Sequence, residues 1–104
     1  MVIFLSYNVA GSNNLAGLKQ LLVAHRPDYV FMQEVSITKE QMEAHLGSSY
    51  RCQVNVDPEN LNQPGFAVSW RSSMEVLVTS VVPFRLHTVK SMHGSFINIY
   101  ANTG

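Results

Sequence analysis

The chain has 104 residues, of which 46% are hydrophobic and 13% are charged, and its formal net charge is +0. This composition excludes a disordered polar chain, and the balanced charge gives no support for a protein that binds nucleic acid through a broad basic face. The length suffices for one small domain, and no run of about 18 apolar residues occurs, so we predict no membrane span.

The N-terminal third of the chain predicts a strand, a helix and a second strand. The continuous apolar run at residues 2–5, which is followed by Ser6, Tyr7, Asn8 and Val9, is typical of a strand that is covered on both faces. Leucines at helical spacing predict a helix over residues 15–25, with Ser12 or Asn13 as its N-cap. A second apolar run at residues 29–32 predicts another strand. Together they form a βαβ unit, whose two strands run parallel.

Polar residues follow both of these strands at their carboxyl ends. Asn8 closes the first strand and Glu34 closes the second. Because parallel strands end on the same rim of a sheet, we expect the two residues to share the rim where ligands bind in α/β proteins. Carboxylate and amide oxygens are the ligands that Mg²⁺ prefers. From the residues alone, Glu34 as a solvated residue at a strand end and Asn8 as a turn-forming residue remain open readings.

The rest of the chain predicts one short helix followed by strands. Thr38 and Gln41 fit a capping box at the start of a helix over residues 38–46, and Gly47 ends it. The predicted strands lie at residues 50–56, 66–70, 75–81, 86–90 and 95–101, with hairpin turns at 71–73 and 92–94. We therefore expect an α/β (α+β) fold with one mixed sheet, two helices on one face and an uncovered second face.

Four motifs in chain order resemble those of the endonuclease/exonuclease/phosphatase superfamily. They are Leu5-Ser6-Tyr7-Asn8-Val9-Ala10-Gly11, Arg26-Pro27-Asp28 with Phe31-Met32-Gln33-Glu34, Gly65-Phe66-Ala67-Val68, and Asn98-Ile99-Tyr100-Ala101. The sequence is most similar to the apurinic-like endonuclease domain of LINE-type retrotransposons. This resemblance implies that residues 1–104 form a partial domain, the N-terminal half of a four-layered α/β sandwich.

The resemblance also implies roles for three residues and a metal-dependent reaction on DNA. Glu34 matches the glutamate that binds the catalytic Mg²⁺ (or Mn²⁺), and Asn8 matches an asparagine in the hydrogen-bond network around the metal. Tyr100 matches a tyrosine that contacts the scissile phosphate, although an aromatic residue that packs at a strand end is an equally open reading. The sequence departs from the family pattern at Ala10 and at Asn102-Thr103.

The expected function is that of a Mg²⁺-dependent, endonuclease-like phosphodiesterase half-domain, inactive alone. The sequence contains no GDFN-like or SDH-like segment, which in the family supply an Asp/Asn pair and a general-base histidine. The expected partner is the missing C-terminal half-domain, or a second copy on the uncovered face. Alternatives are a phosphatase- or sphingomyelinase-type relative and a non-catalytic α/β interaction module. The single cysteine and the absence of a signal peptide predict an intracellular, nuclear or cytoplasmic location.

Overall fold

The computed structural model describes residues 1–82 and 86–99 and contains two helices and seven strands within them. No helix in this part of the chain is long and apolar enough to cross a membrane. The elements, in chain order, are β1 (Phe4–Gly11), α1 (Leu15–His25), β2 (Tyr29–Val35), α2 (Lys39–Leu46), β3 (Tyr50–Asn55), β4 (Gly65–Arg71), β5 (Val76–Val82), β6 (Leu86–Ser91) and β7 (Gly94–Ile99).

The two helices begin in different ways. At α2 the predicted capping box is confirmed, because the Thr38 side chain accepts a hydrogen bond from the Gln41 backbone N–H and the Gln41 Oε1 atom accepts one from the Thr38 backbone N–H. At α1 the prediction of Ser12 or Asn13 as N-cap is wrong, because the helix is capped at Asn14 without a side-chain cap bond. The Asn14 Nδ2 atom instead donates to the Asn8 carbonyl at 3.2 Å, so this side chain ties the helix start to β1.

The first four strands form a mixed sheet in the order β1-β2-β4-β3. Strand β1 pairs with β2 in parallel, as the βαβ pattern predicts. Strand β4 lies antiparallel to both β2 and β3. The predicted α+β class, with a mixed sheet and two helices, is confirmed.

The last three strands form a second, antiparallel sheet in the order β5-β6-β7 instead of extending the first one. The hairpin predicted at residues 92–94 is confirmed, since Ser91 pairs with Gly94. The turn predicted after Arg71 is not a hairpin, because β4 already has β2 on one edge and β3 on the other and offers no edge to β5. The turn therefore carries the chain from one sheet to the other, and the prediction of a single sheet is corrected to two.

The mixed sheet is packed on both faces. The helices cover one face, where buried side chains from α1 and α2 meet those of the strands; they include Val9, Leu18, Leu22, Val30, Met32 and Met42. On the other face, Tyr29, Val68 and Trp70 pack against Val89 of the second sheet. Burying an aliphatic side chain of this kind contributes about 1.5–3 kcal/mol. The prediction that the second face of the mixed sheet is uncovered is therefore wrong, because the second sheet packs on it. The expected contact with a second copy of the chain was based on that uncovered face.

Candidate functional site at the sheet rim

The carboxyl ends of β1 and β2 lie side by side at one rim of the mixed sheet. In the parallel register Asn8 is the partner of Gln33, which immediately precedes Glu34. Both Asn8 and Glu34 are exposed to solvent. The structure thus brings together the two residues that the sequence singles out at this rim. Tyr100, the third predicted site residue, lies outside the described residues.

The backbone at this rim is irregular in both strands. The register of β1 and β2 shifts between Asn8 and Gly11, and that of β2 and β4 shifts between Gln33 and Val35. Ala10 and Glu34 adopt left-handed backbone conformations, with φ of 51° and 54°. Such conformations cost an L residue about 1–3 kcal/mol each, and bulges of this kind redirect a side chain out of the regular ladder. The irregularity exposes the Glu34 side chain at the end of a central strand.

The Asn8 side chain is held by its own strand. Its Oδ1 atom accepts a hydrogen bond from the Ala10 backbone N–H at 2.8 Å. The backbone carbonyl oxygen of Asn8 accepts another from Asn14 Nδ2. These bonds stabilise the turn that leads from β1 towards α1. The asparagine therefore has a fixed position and retains the second lone pair of its amide oxygen for a ligand.

Ser6 and Gln33 form a polar contact behind the rim that the sequence analysis did not identify. The Gln33 Nε2 atom donates to the Phe31 carbonyl at 3.0 Å and to Ser6 Oγ at 3.2 Å. The alternation of side chains along β1 is the feature of the sequence from which the position of Ser6 could be predicted. Leu5 and Tyr7 pack with the helix-side core, so Ser6 lies on the opposite face. The pair links the two strands that carry Asn8 and Glu34.

The oxygen atoms at the rim fit a hard divalent cation, although they do not surround one. Within residues 1–82 and 86–99, neither an ion pair nor a side-chain hydrogen bond engages the Glu34 carboxylate. An exposed carboxylate and an amide oxygen on the same rim are donor types that suit Mg²⁺, which usually retains several waters. The same part of the chain holds no cluster of three or more His, Cys, Asp or Glu side chains. Any cation here would need further ligands from water, substrate or other residues.

Gly65 forms the opposite side of the rim, where it pairs with Val35 just after the bulge. A Cβ atom at this position would lie 2.0 Å from the Asn55 carbonyl oxygen, a distance that no real contact reaches. Glycine is therefore required for the close approach of β4 to β3. The Gly-Phe-Ala-Val segment, singled out in the sequence by resemblance, has this packing role in the structure.

Within the described part of the chain, the two groups with altered pKa values, those of Cys52 and Tyr50, lie away from the rim. Burial raises the pKa of the Cys52 thiol to about 11, and the nearby Glu43 carboxylate adds to the effect. Burial likewise raises the pKa of Tyr50, against the opposing effect of the Arg71 guanidinium. The Tyr50 hydroxyl donates to the Pro27 carbonyl at 2.8 Å inside the core. Both shifts follow from packing and mark no second reactive centre.

A family model described as the Endonuclease/Exonuclease/phosphatase family matches residues 5–103. No curated protein sequence is significantly similar to the chain.

Several solved structures share the fold. The AP endonuclease LMAP from Leishmania major is 18% identical, with a TM-score of 0.76 over 99% of this chain and 41% of its own. An AP endonuclease from Archaeoglobus fulgidus is 20% identical, with a TM-score of 0.69 over 96% of this chain and 41% of its own. A 3′–5′ exonuclease from Neisseria meningitidis is 19% identical, with a TM-score of 0.65 over 94% of this chain and 41% of its own. The chain thus spans 41% of the length of these three proteins.

Proposed function

The chain belongs to the endonuclease/exonuclease/phosphatase family, and we propose that it supplies the metal-binding half of a phosphodiesterase that cleaves DNA. The observation that carries the proposal is the shared rim, where Asn8 and the exposed Glu34 lie near the carboxyl ends of two adjacent parallel strands. The names of the solved structures, two AP endonucleases and an exonuclease, favour DNA over lipid or inositol phosphates as the substrate.

In the proposed mechanism Glu34 would hold Mg²⁺ or Mn²⁺ through its carboxylate, and Asn8 would contribute to the hydrogen-bond network around the metal. When bound, such a cation stabilises the negative charge that develops on a phosphate during hydrolysis. Tyr100 donates its hydroxyl proton in a hydrogen bond to a phosphate oxygen. The order of the four motifs supports a parent enzyme similar to the apurinic-like endonucleases of LINE-type retrotransposons.

We further propose that these 104 residues do not cleave DNA on their own. The sequence contains neither a Gly-Asp-x-Asn nor a Ser-Asp-His segment, and none of its four histidines lies at the rim motifs. Without the general-base histidine of the Ser-Asp-His segment, hydrolysis would lack a contribution that is typically about 10²–10⁴-fold. The partner proposed for activity is a second half-domain that carries these groups.

The metal site is tested by Mn²⁺ titration of the isotopically labelled chain, followed by paramagnetic broadening of its amide signals. We expect broadening to centre on residues 8–11 and 33–36 and to disappear in Glu34→Gln. Glu75→Gln is the matched control, because Glu75 is exposed and lies before β5 in the second sheet. Broadening that survives in Glu34→Gln would contradict the proposed ligand.

The activity is tested by incubating supercoiled plasmid DNA with the chain and Mg²⁺. We expect no nicking above that of buffer alone. Nicking that is lost in Glu34→Gln would overturn the proposed inactivity and support the metal site. RNA and phospholipid substrates would also be offered to the chain after it is joined with a half-domain that supplies the remaining motifs. The substrates that are cleaved would separate the nuclease reading from the phosphatase- and sphingomyelinase-type readings.

A further inference from the structure

We propose that Ser6 and Gln33 are positioning residues, whose side chains hold β1 and β2 in the relation that lets Asn8 and Glu34 act on one cation. The inference rests on the proposed role of Glu34 as a metal ligand. Neither residue is proposed to touch the metal. Their effect is on the geometry of the two strands immediately before the rim.

The contact joins the two strands directly. Gln33 extends from β2, and its Nε2 atom lies 3.2 Å from Ser6 Oγ on β1. The same Nε2 atom donates to the Phe31 carbonyl at 3.0 Å, which keeps the Gln33 side chain folded back along its own strand. Phe31 is also the register partner of Ser6, so the bridge spans neighbouring positions of the parallel pair.

The bridge lies at the last regular part of the ladder. Asn8 and Gln33 are register partners, and beyond them the register shifts between β1 and β2 and also between β2 and β4. Glu34 therefore begins a segment that the regular ladder does not hold, and it has a left-handed φ of 54°. A side-chain bond one residue before this segment is well situated to fix the direction in which the segment leaves the sheet.

The surroundings make the pair sensitive to change. The side chain of Gln33 is half-buried, and the neighbouring rings of Phe4 and Phe31 stack with their centroids 6.2 Å apart. A half-buried amide needs hydrogen-bond partners, and in this setting Ser6 Oγ and the Phe31 carbonyl provide them. Loss of the Ser6 hydroxyl removes the direct link from Gln33 to β1, because water can replace the exposed hydroxyl as a hydrogen-bond partner but cannot hold the amide to that strand.

A purely structural role and a positioning role for the Ser6–Gln33 hydrogen bond predict different experimental results. A structural tie affects stability and leaves metal affinity unchanged in the folded protein. A positioning role lowers metal affinity while the chain remains folded, as residues that orient metal ligands do, typically by about 10–100-fold. The measurement must therefore follow binding in protein whose fold has been verified.

The test measures the apparent Kd for Mn²⁺ from amide broadening at residues 33–36. We expect Gln33→Ala to raise this Kd by about 10-fold, within the range for such residues. Ser6→Ala should raise it by a smaller factor, and Ser6→Thr, which keeps the hydroxyl, should restore it. Gln53→Ala is the matched control, because Gln53 is a half-buried glutamine on β3, and its Kd should equal that of the unchanged chain.

The outcomes separate this inference from the proposed function. If the unchanged chain shows no broadening at the rim, the proposed metal site is overturned and the inference falls with it. If the unchanged chain binds Mn²⁺ there, and folded Gln33→Ala and Ser6→Ala bind it equally well, this inference alone is overturned. If Gln33→Ala does not fold, the comparison of Ser6→Ala with Ser6→Thr decides, and equal affinity in these two variants overturns the inference.

Discussion

Gly17 lies in the middle of α1, where the hydroxyl group of Tyr7 fills the space beside it. A Cβ atom at Gly17 would lie 2.6 Å from Tyr7 Oη but 3.8 Å from Cζ. The hydroxyl donates to the carbonyl of Asn14, the N-cap residue of the helix, at 2.7 Å. A glycine here costs the helix about 1 kcal/mol relative to alanine. In exchange, the smaller residue lets β1 contact the start of α1 through this hydrogen bond.

This geometry predicts that Gly17→Ala stabilises the chain more when Tyr7 is replaced by phenylalanine than it does in the unchanged chain. In the unchanged chain, alanine displaces the hydroxyl and loses a hydrogen bond of about 1 kcal/mol, which offsets the gain in helix propensity and leaves the free energy of unfolding nearly unchanged. In Tyr7→Phe the new methyl group makes only an ordinary contact, and the variant gains up to about 1 kcal/mol of helix propensity. Urea denaturation of the four proteins measures both effects. Equal effects in both backgrounds would contradict the proposed clash.

Cys52 gives the chain a stability that depends on pH in the alkaline range. Its pKa is raised from 9.0 to about 11 because burial disfavours the thiolate. The unfolded chain therefore loses this proton first, and stability is complete below pH 9 and falls as pH rises from 9 towards 11. Urea midpoints at pH 8 and at pH 10 should differ less in Cys52→Ala than in the unchanged chain. A decline of equal size in Cys52→Ala would assign the effect to other groups.

At the scale of elements, the approach of β3 to β4 depends on Gly65. In Gly65→Ala the added carbon would meet the Asn55 carbonyl at 2.0 Å, so a strand must move. We expect a loss of about 1–3 kcal/mol, as for an overpacked core, together with faster amide exchange in β3. Gly47→Ala is the control, since nothing lies within 4 Å of its Cβ position and only its positive φ opposes alanine. A larger loss in Gly47→Ala would argue against the close strand approach.

The helices and strands with strong local signals can be predicted from the sequence, but the sheet to which each strand belongs cannot. The capping box at Thr38 and the apolar runs of β1 and β2 act within a few residues, so sequence alone indicates the parallel pair and the rim. The edge available to β5 depends instead on β4 having two partners already, which is a property of the whole sheet. Likewise, Ser6 and Gln33 meet only because the register pairs Ser6 with Phe31, and no local pattern determines that register.

At the scale of the whole molecule, hydrogen bonds between side chains join the two sheets in addition to the apolar interface. Tyr29 is fully buried on β2, and its hydroxyl contacts Ser91 Oγ and lies 2.6 Å from His93 Nδ1. Its ring also packs against that of Phe96, with centroids 5.4 Å apart. The β6–β7 turn is thus held to the mixed sheet by polar as well as apolar contacts.

Tyr29→Phe keeps the ring and removes the hydroxyl, so we expect a loss of about 1–2 kcal/mol. Because the lost bonds cross from one sheet to the other, amide exchange should accelerate in the β6–β7 turn more than in β3 and β4. Tyr50→Phe is the matched control, since its hydroxyl bonds to the Pro27 carbonyl on the helix side. That variant should lose similar stability and leave the relative protection of the turn unchanged. Uniform acceleration in Tyr29→Phe would mean that other contacts hold the second sheet in place.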